Sequence, residues 1–373
     1  MFNFSQSTKS IPVSVSKLSL LLLPLIFGTA QAGLDESYQA YQQALEKGDK
    51  AQIISAAEQA YADGKAKLGA TDRTTLALSM NLAKALQQPR NQMLDEQGIA
   101  NQQRSKALYL QALQSYQALY GEQALEVLDP MMGLAHSSNP KEAAKLYQQA
   151  IALADGKNDR LLSAAVRLEA FHDLNSTEAY DRKVRAYALD AQKIYHELAP
   201  KDSLQRVNAD TAVAAIYLAE QKYAKAKPLL MEVIEQLEVL PFDTPLSLTA
   251  HAYLVELYSR NGEEDKATQH CQAIGNMRPW QQNLEQKPLF RIAPSYPTQY
   301  AKLKREGWVD VEVTVNEQGS VSHVEVLDSK GGKQFETETV KALSKWRYAP
   351  KFVDGKPVIA TTRSKLEFRM SFN

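Results

Sequence analysis

Trp308-Val309-Asp310-Val311-Glu312-Val313-Thr314-Val315 alternates strictly, with four valines at the odd positions and Asp310, Glu312 and Thr314 among the even ones. Successive side chains of an extended chain point to opposite faces, so this stretch predicts a strand with one apolar and one polar face. Asn316-Glu317-Gln318-Gly319 supplies a turn, and residues 320–328 return as a second strand with Val321, Val324 and Val326 apolar. The apolar positions switch from odd to even between Val321 and Val324, which predicts a bulge near Ser322-His323. After the loop Ser329-Lys330-Gly331-Gly332, the residues Phe335, Thr339, Ala342, Leu343 and Trp346 fall on one side of a helix. Pro350 ends that segment and Asp354-Gly355 makes a turn. Leu366, Phe368, Met370 and Phe372 then alternate with Lys365, Glu367, Arg369 and Ser371 in a last strand. The expected product is a three-stranded antiparallel sheet with a helix packed on its apolar face.

Upstream the grammar differs. From about residue 34 to 285, apolar positions recur at i, i+3, i+4 and i+7, which is helical periodicity. Breakers punctuate it at Gly48-Asp49, Gly69-Ala70-Thr71-Asp72, Asn139-Pro140, Asp155-Gly156, Ala199-Pro200-Lys201-Asp202, Pro241 and Asn261-Gly262. Several of these also offer side chains that cap the next helix. Val213-Ala214, Tyr217, Tyr223, Ala226, Leu230 and Val233 form an ordered set of small, aromatic and large positions. Leu254-Val255, Tyr258, Gly262, Ala267, Cys271, Ile274 and Pro279 repeat it, and Pro140, Ala143, Tyr147 and Ala150 give the second half of an earlier unit. The region resembles tetratricopeptide repeats, in some five or six helix pairs; a helical array without true repeats is the alternative. A single pair cannot bury its own face, so the units must stack. The fold class expected is multidomain: an all-α helical-repeat solenoid followed by a small α+β domain.

Three segments follow from this: a signal peptide over 1–32, the tetratricopeptide-like helical region over 33–287, and the C-terminal domain over 288–373. The periodicities switch near Gln286-Lys287-Pro288, so the last two are expected to fold separately. Lys9 and Lys17 precede the apolar stretch 18–27, and Ala30-Gln31-Ala32 reads as a cleavage site, the layout of a secretory signal. Export to the periplasm is expected. The alternative is a retained inner-membrane anchor facing the periplasm, for which the uncharged stretch 18–34 is short.

Composition narrows the chemistry. Lys plus Arg (43) equals Asp plus Glu (43), which gives no signal for nucleic acid, and no nucleic-acid partner is expected. One cysteine, Cys271, rules out an intramolecular disulfide. Its repeat position calls for a bulky apolar residue, which predicts a buried, inert thiol. Six histidines form no H-E-x-x-H motif or close pair in sequence. Lys330-Gly331-Gly332-Lys333 lacks the spacing of a phosphate loop, and no G-x-S-x-G is present. No enzyme, metal or cofactor is expected.

Pro294-Ser295-Tyr296-Pro297, Glu306-Gly307, the valine-rich strand, Gly319 with Val321, Phe335, Trp346-Arg347-Tyr348-Ala349-Pro350, Gly355-Lys356-Pro357-Val358 and the terminal strand follow one another in an ordered set. In these residues the chain resembles a known family, the C-terminal domain of TonB, the transducer that energises outer-membrane receptors. The resemblance implies that the Tyr-Pro segment touches a receptor and that the final strand accepts the receptor's short N-terminal segment, the TonB box, as an added strand. The partner-binding residues so implied are Pro294, Tyr296 and Pro297, with Ser364, Lys365, Leu366, Glu367, Phe368, Arg369 and Met370. Two positions depart from the family, Ala293 where Gln is frequent and Gln299 where a receptor-contacting Arg stands, and both bear on partner choice. The family's long Pro-rich spacer is also missing, since the 15 prolines never form a run.

Two functional readings stay open. The first is a periplasmic TonB-like adaptor in energy-dependent outer-membrane transport, binding a TonB-dependent receptor or another transport-complex protein by strand addition. The second is a non-energised cell-envelope scaffold that uses the repeats and the TonB-like domain to bind protein. In both, the concave face of the repeats is expected to take a protein or peptide, and the C-terminal edge strand also allows self-association.

Overall fold

Side chains that can take up free amides start most of the helices. The computed structural model describes residues 32–90, 93–238, 244–277 and 287–370. Among these, α1 (Ala32–Lys47) and α2 (Lys50–Leu68) are divided at Gly48-Asp49, where the Asp49 carboxylate accepts from the amides of Ala51 (2.9 Å) and Gln52 (3.2 Å). Asp72 caps α3 (Arg73–Leu86) and Asp95 caps α4 (Glu96–Tyr120) in the same way. After one 3-10 turn come α5 (Leu128–Ser137) and then α6 (Pro140–Asp155), which Asn139 caps with Pro140 at the first helical position. Asp159 and Asp181 cap α7 (Arg160–Leu174) and α8 (Arg182–Leu198). Each such cap stabilises by about 1 kcal/mol relative to alanine. The expected signal segment lies outside the described residues up to Gln31, as do Pro241, Pro279, Gln286 and Phe372.

The described residues divide into two compact units, one ending at Lys201 and the other starting at Asp202. In the first, small residues let consecutive helices approach. A Cβ added to Gly64 of α2 would stand 2.8 Å from Leu78 of α3, and one added to Gly133 of α5 would enter the Tyr109 ring of α4. Leu82, Leu86, Tyr147 and Leu174 are fully buried between these helices. Burying such a side chain contributes about 1.5–3 kcal/mol. Arg90 crosses from the end of α3. Its guanidinium is bidentate to Asp173 of α7 (2.6 and 2.7 Å) and donates to the carbonyls of Ala135 (2.6 Å) and Ser138 (2.5 Å) at the end of α5.

The second unit opens with α9 (Leu204–Ala219), α10 (Tyr223–Glu238), α11 (Pro245–Arg260) and α12 (Glu264–Asn276). The expected repeat positions form its helical core: Ala214, Ala226, Leu230, Val233, Leu254, Tyr258 and Ala267 are buried together, with Tyr217 and Tyr223 packed against them. The helical-repeat reading of the sequence holds, and the small residues are where the helices meet.

The C-terminal elements are β1 (Pro288–Phe290), α13 (Thr298–Lys302), β2 (Gly307–Val315), β3 (Val321–Lys330), α14 (Lys333–Leu343), β4 (Arg347–Tyr348), β5 (Lys351–Val353), β6 (Lys356–Val358) and β7 (Ala360–Phe368). The main sheet has the order β3-β2-β7, all antiparallel. Val309, Val311, Val313 and Val315 are fully buried against Phe335 and Leu343 of α14, together with Trp346, Tyr348 and Phe368. This is the expected sheet with a helix on its apolar face. The expected bulge is present, with Ser322 unpaired between Val321 and His323, and a second leaves Leu327 unpaired. Two short ladders go beyond what the sequence pattern predicts, β1 with β4 and β5 with β6.

β1, β4 and β5 meet the last two helices. Val255, Cys271 and Ile274 of α11 and α12 are buried in one cluster with Phe290 and Ala349. Burial pushes the Cys271 thiol up to about 12, so the expected inert thiol is what the fold builds. Among the described residues no helix is long and apolar enough to cross a membrane.

Candidate functional site

β7 lies at the margin of the sheet, paired with β2 in unbroken register from Gly307↔Phe368 to Val315↔Ala360. Among the described residues no strand pairs with its other side. Which backbone groups face that side follows from β2. The Asn316 amide donates to the Ser320 carbonyl (2.9 Å) and the Ser322 hydroxyl donates to the Thr314 carbonyl (3.2 Å), so even-numbered residues of β2 direct their backbone toward β3. Backbone direction alternates along a strand. The odd-numbered residues of β2 therefore bond β7, through their partners Ala360, Thr362, Ser364, Leu366 and Phe368. Thr361, Arg363, Lys365 and Glu367 are left to present their N–H and C=O groups at the open edge.

Their side chains fit this assignment. Arg363, Lys365 and Glu367 are exposed, whereas Thr362 and Phe368 are buried and Ser364 and Leu366 half-buried. On the polar face Lys365 pairs opposite Asp310 and Arg363 opposite Glu312, cross-strand charges of opposite sign. The Lys365 ammonium also sits 4.1 Å from the centre of the Trp308 ring. Such contacts hold the side chains against the sheet and leave the backbone edge clear.

β3, the other margin, is different. Its two bulges at Ser322 and Leu327 break the regular spacing of backbone groups. β7 is thus the one margin of this sheet that is regular along its whole length.

The Tyr-Pro segment reaches the C-terminal end of β7. Tyr296 packs edge-on against Phe368 (5.8 Å between ring centres) and Phe335 (5.5 Å), and its hydroxyl donates to the Arg305 carbonyl (2.6 Å). Desolvation and the nearby Glu306 carboxylate raise the pKa of that hydroxyl. Pro297 leads into α13, and its carbonyl accepts from the Ala301 amide (2.9 Å). Pro294 is half-buried in the extended stretch before it, which the Trp346 indole anchors by donating to the Ile292 carbonyl (2.8 Å). Arg369 and Met370 follow the end of the strand. Arg369 pairs with Glu367 (2.7 Å), and the Met370 amide donates to the Glu306 carboxylate (2.8 Å). The Glu306-Gly307 pair belongs to the resemblance, but no local pattern signals that Glu306 ties down the end of β7.

Residues 292–370 match the family described as Gram-negative bacterial TonB protein C-terminal. Every anticipated site residue, from Pro294 to Met370, falls inside the matched TonB segment. Protein TonB of Escherichia coli (strain K12) is 38% identical over 71 residues, which are 19% of this chain and 28% of that protein. Protein TonB of Pseudomonas aeruginosa is 33% identical over 82 residues, 22% of this chain and 24% of that protein. The chain therefore spans about a quarter of the length of these curated relatives. A crystal structure of TPR-like repeats from Podosopora anserina covers 57% of this chain and 97% of its own, at 15% identity and a TM-score of 0.45.

Proposed function

We propose that this chain is a periplasmic TonB-like adaptor in energy-dependent outer-membrane transport, and that β7 takes an extended segment of a receptor, or of another transport-complex protein, as an added strand. The observation that carries this reading is the edge of β7: nine residues in unbroken register, with outward backbone groups at Arg363, Lys365 and Glu367. Main-chain bonds supply affinity that depends little on the partner's sequence, while pockets beside the edge supply choice. Tyr296, packed on Phe368, and Pro297 beside it in sequence would supply that choice. The match of residues 292–370 to the TonB C-terminal family supports the transport setting. The helical repeats provide the surface for a second protein partner.

Proline tests the edge directly. Lys365→Pro and Glu367→Pro each remove one outward N–H, and an edge strand tolerates this. Each variant should bind a receptor N-terminal peptide roughly tenfold more weakly or worse, the loss of about one hydrogen bond plus a steric block. Both should keep their thermal midpoint within a few degrees. Leu366→Pro is the contrast, because it removes an N–H bonded to β2 and should unfold the sheet. Equal peptide binding by well-folded Lys365→Pro and Glu367→Pro would refute the reading.

A further inference from the structure

The Trp346-Arg347-Tyr348-Ala349-Pro350 segment carries part of the resemblance to the TonB C-terminal domain, and the proposed strand addition does not use it. Trp346 and Tyr348 belong to the sheet core, while Arg347, Ala349 and Pro350 face the last helix pair. Ala349 is buried with Cys271 and Ile274 of α12 and Val255 of α11. The Pro350 carbonyl lies so near Gly275 that a Cβ there would stand 2.6 Å from it and 2.8 Å from the Phe352 ring. Arg347 forms an ion pair with Glu264 at the start of α12 and donates to the Ser320 hydroxyl. Gln272 donates to the Glu317 carbonyl (3.4 Å) in the β2–β3 turn, and Arg260 of α11 stands over the Phe290 ring at 5.4 Å. Gly319 in the same turn has φ +75°, and an added Cβ would be 2.2 Å from the Tyr348 carbonyl and 3.0 Å from Cys271. The contact combines buried apolar side chains, an ion pair with an Arg that is 11% exposed, and glycines at both points of closest approach.

We propose that α11 and α12 complete the core of the C-terminal domain, so that Arg347, Ala349 and Pro350 form a docking face already filled from within the chain, and that this contact opens only together with the sheet core. An outside protein cannot use that face without displacing α12. This departs from the expectation of two separately folding parts divided near Pro288. It also stands whatever strand β7 accepts. The physical reason is the chemistry of the face. Ala349 and Phe290 would be exposed without the helices, and Arg347 would lose its carboxylate partner. On the helical side Cys271, Ile274 and Val255 would face water, and exposed apolar surface of this kind favours closure.

Cys271 is the chain's one cysteine, so thiol labelling reports opening at that spot alone. In the full chain, pulsed thiol labelling of Cys271 is compared with tryptophan fluorescence across a urea titration, on a Trp280→Phe background that leaves Trp308 and Trp346 as reporters. The expected result is one shared midpoint. The decisive variant is Leu343→Ala, which weakens the sheet core at a residue fully buried in the sheet–α14 cluster and outside the Cys271 cluster. The Cys271 labelling midpoint should fall by the same urea increment as the fluorescence midpoint. Glu264→Lys provides a second variant that acts at the contact itself, and both probes should again shift together. A Cys271 midpoint that stays at its wild-type value in Leu343→Ala while fluorescence moves would overturn the proposal. So would separate midpoints in the parent chain.

Discussion

Asp173→Ala should destabilise the first unit by about 3–5 kcal/mol, the usual cost of removing one partner from a buried ion pair. The Asp173 side chain is 2% exposed and Arg90 12%, so the guanidinium would be left with little water to replace the carboxylate. Burial alone would push the Asp173 carboxyl up. The hydrogen bonds from His136 and Arg90, with their charges, overcome that and hold it at about 2. Against an ordinary carboxylate near 3.8, a shift of this size corresponds to about 2.5 kcal/mol in favour of the charged form. The folded pKa is the depressed one, so this contribution is present above about pH 4 and disappears as pH falls toward 2. Two variants separate charge from shape. Asp173→Asn keeps the volume and should lose most of the stability, with a deficit that shrinks below pH 4. The double change Arg90→Leu with Asp173→Leu should recover part of it, because a buried pair replaced by apolar groups is often near neutral. Full recovery is not expected, since Arg90 also binds the Ala135 and Ser138 carbonyls. The assay is thermal unfolding of the full chain followed by helical circular dichroism. A loss of 3 kcal/mol in a unit of this size moves the midpoint by about 6–12 °C. A shift below about 2 °C for Asp173→Ala would refute the reasoning.

Three further outcomes are expected. His270 is held at about 4 by burial and by His251, whose Nδ1 lies 2.8 Å from its own, with the ammonium groups of Lys227 and Lys266 over the neighbouring Tyr258 ring. The unfolded chain takes up that proton first, so stability should decline from about pH 6.5 to 4 and then level, and His270→Gln should flatten that part of the profile in urea titrations. Gly319→Ala combines a positive φ with a clash on the Tyr348 carbonyl and should cost about 2 kcal/mol or more, whereas Gly48→Ala, at φ +72° with nothing within 4 Å, should cost only about 1 kcal/mol; equal losses in chemical denaturation would contradict this. Intact mass of the protein recovered from the cell envelope should place the N-terminus at Gly33, and a full-length, carbonate-resistant species would show the signal reading to be mistaken.

What the sequence revealed were features set by near neighbours. Four valines at alternate positions define the buried face of β2, and a slip in the apolar phase locates the bulge at Ser322. Asp49, Asp72 and Asn139 announce helix starts because a cap acts two or three residues away. The free edge of β7 was also legible, since a last strand with charged alternate residues has one natural neighbour. The remainder depends on chain segments far apart. Arg90 and Asp173 are separated by 83 positions, and nothing in either local pattern points to the other. His251 and His270 are 19 apart on facing helices, too far for a sequence scan to pair. The contacts of Arg347 and Ala349 with α12 join two regions of different periodicity, and neither local pattern points to the other. Their only local trace was Cys271, which filled a position that called for apolar bulk.

The contrast between the two margins of the sheet also limits assembly. A sheet with two regular margins can add copies at both and grow without end, as open-ended, head-to-tail contacts do. Here the bulges at Ser322 and Leu327 close one side, and β7 can be occupied once. Two copies meeting β7 to β7 would use up both regular margins and form a closed twofold pair. A foreign strand on β7 would exclude that pair, so a complex at this edge would be one to one, with partner and second copy competing for the same nine residues.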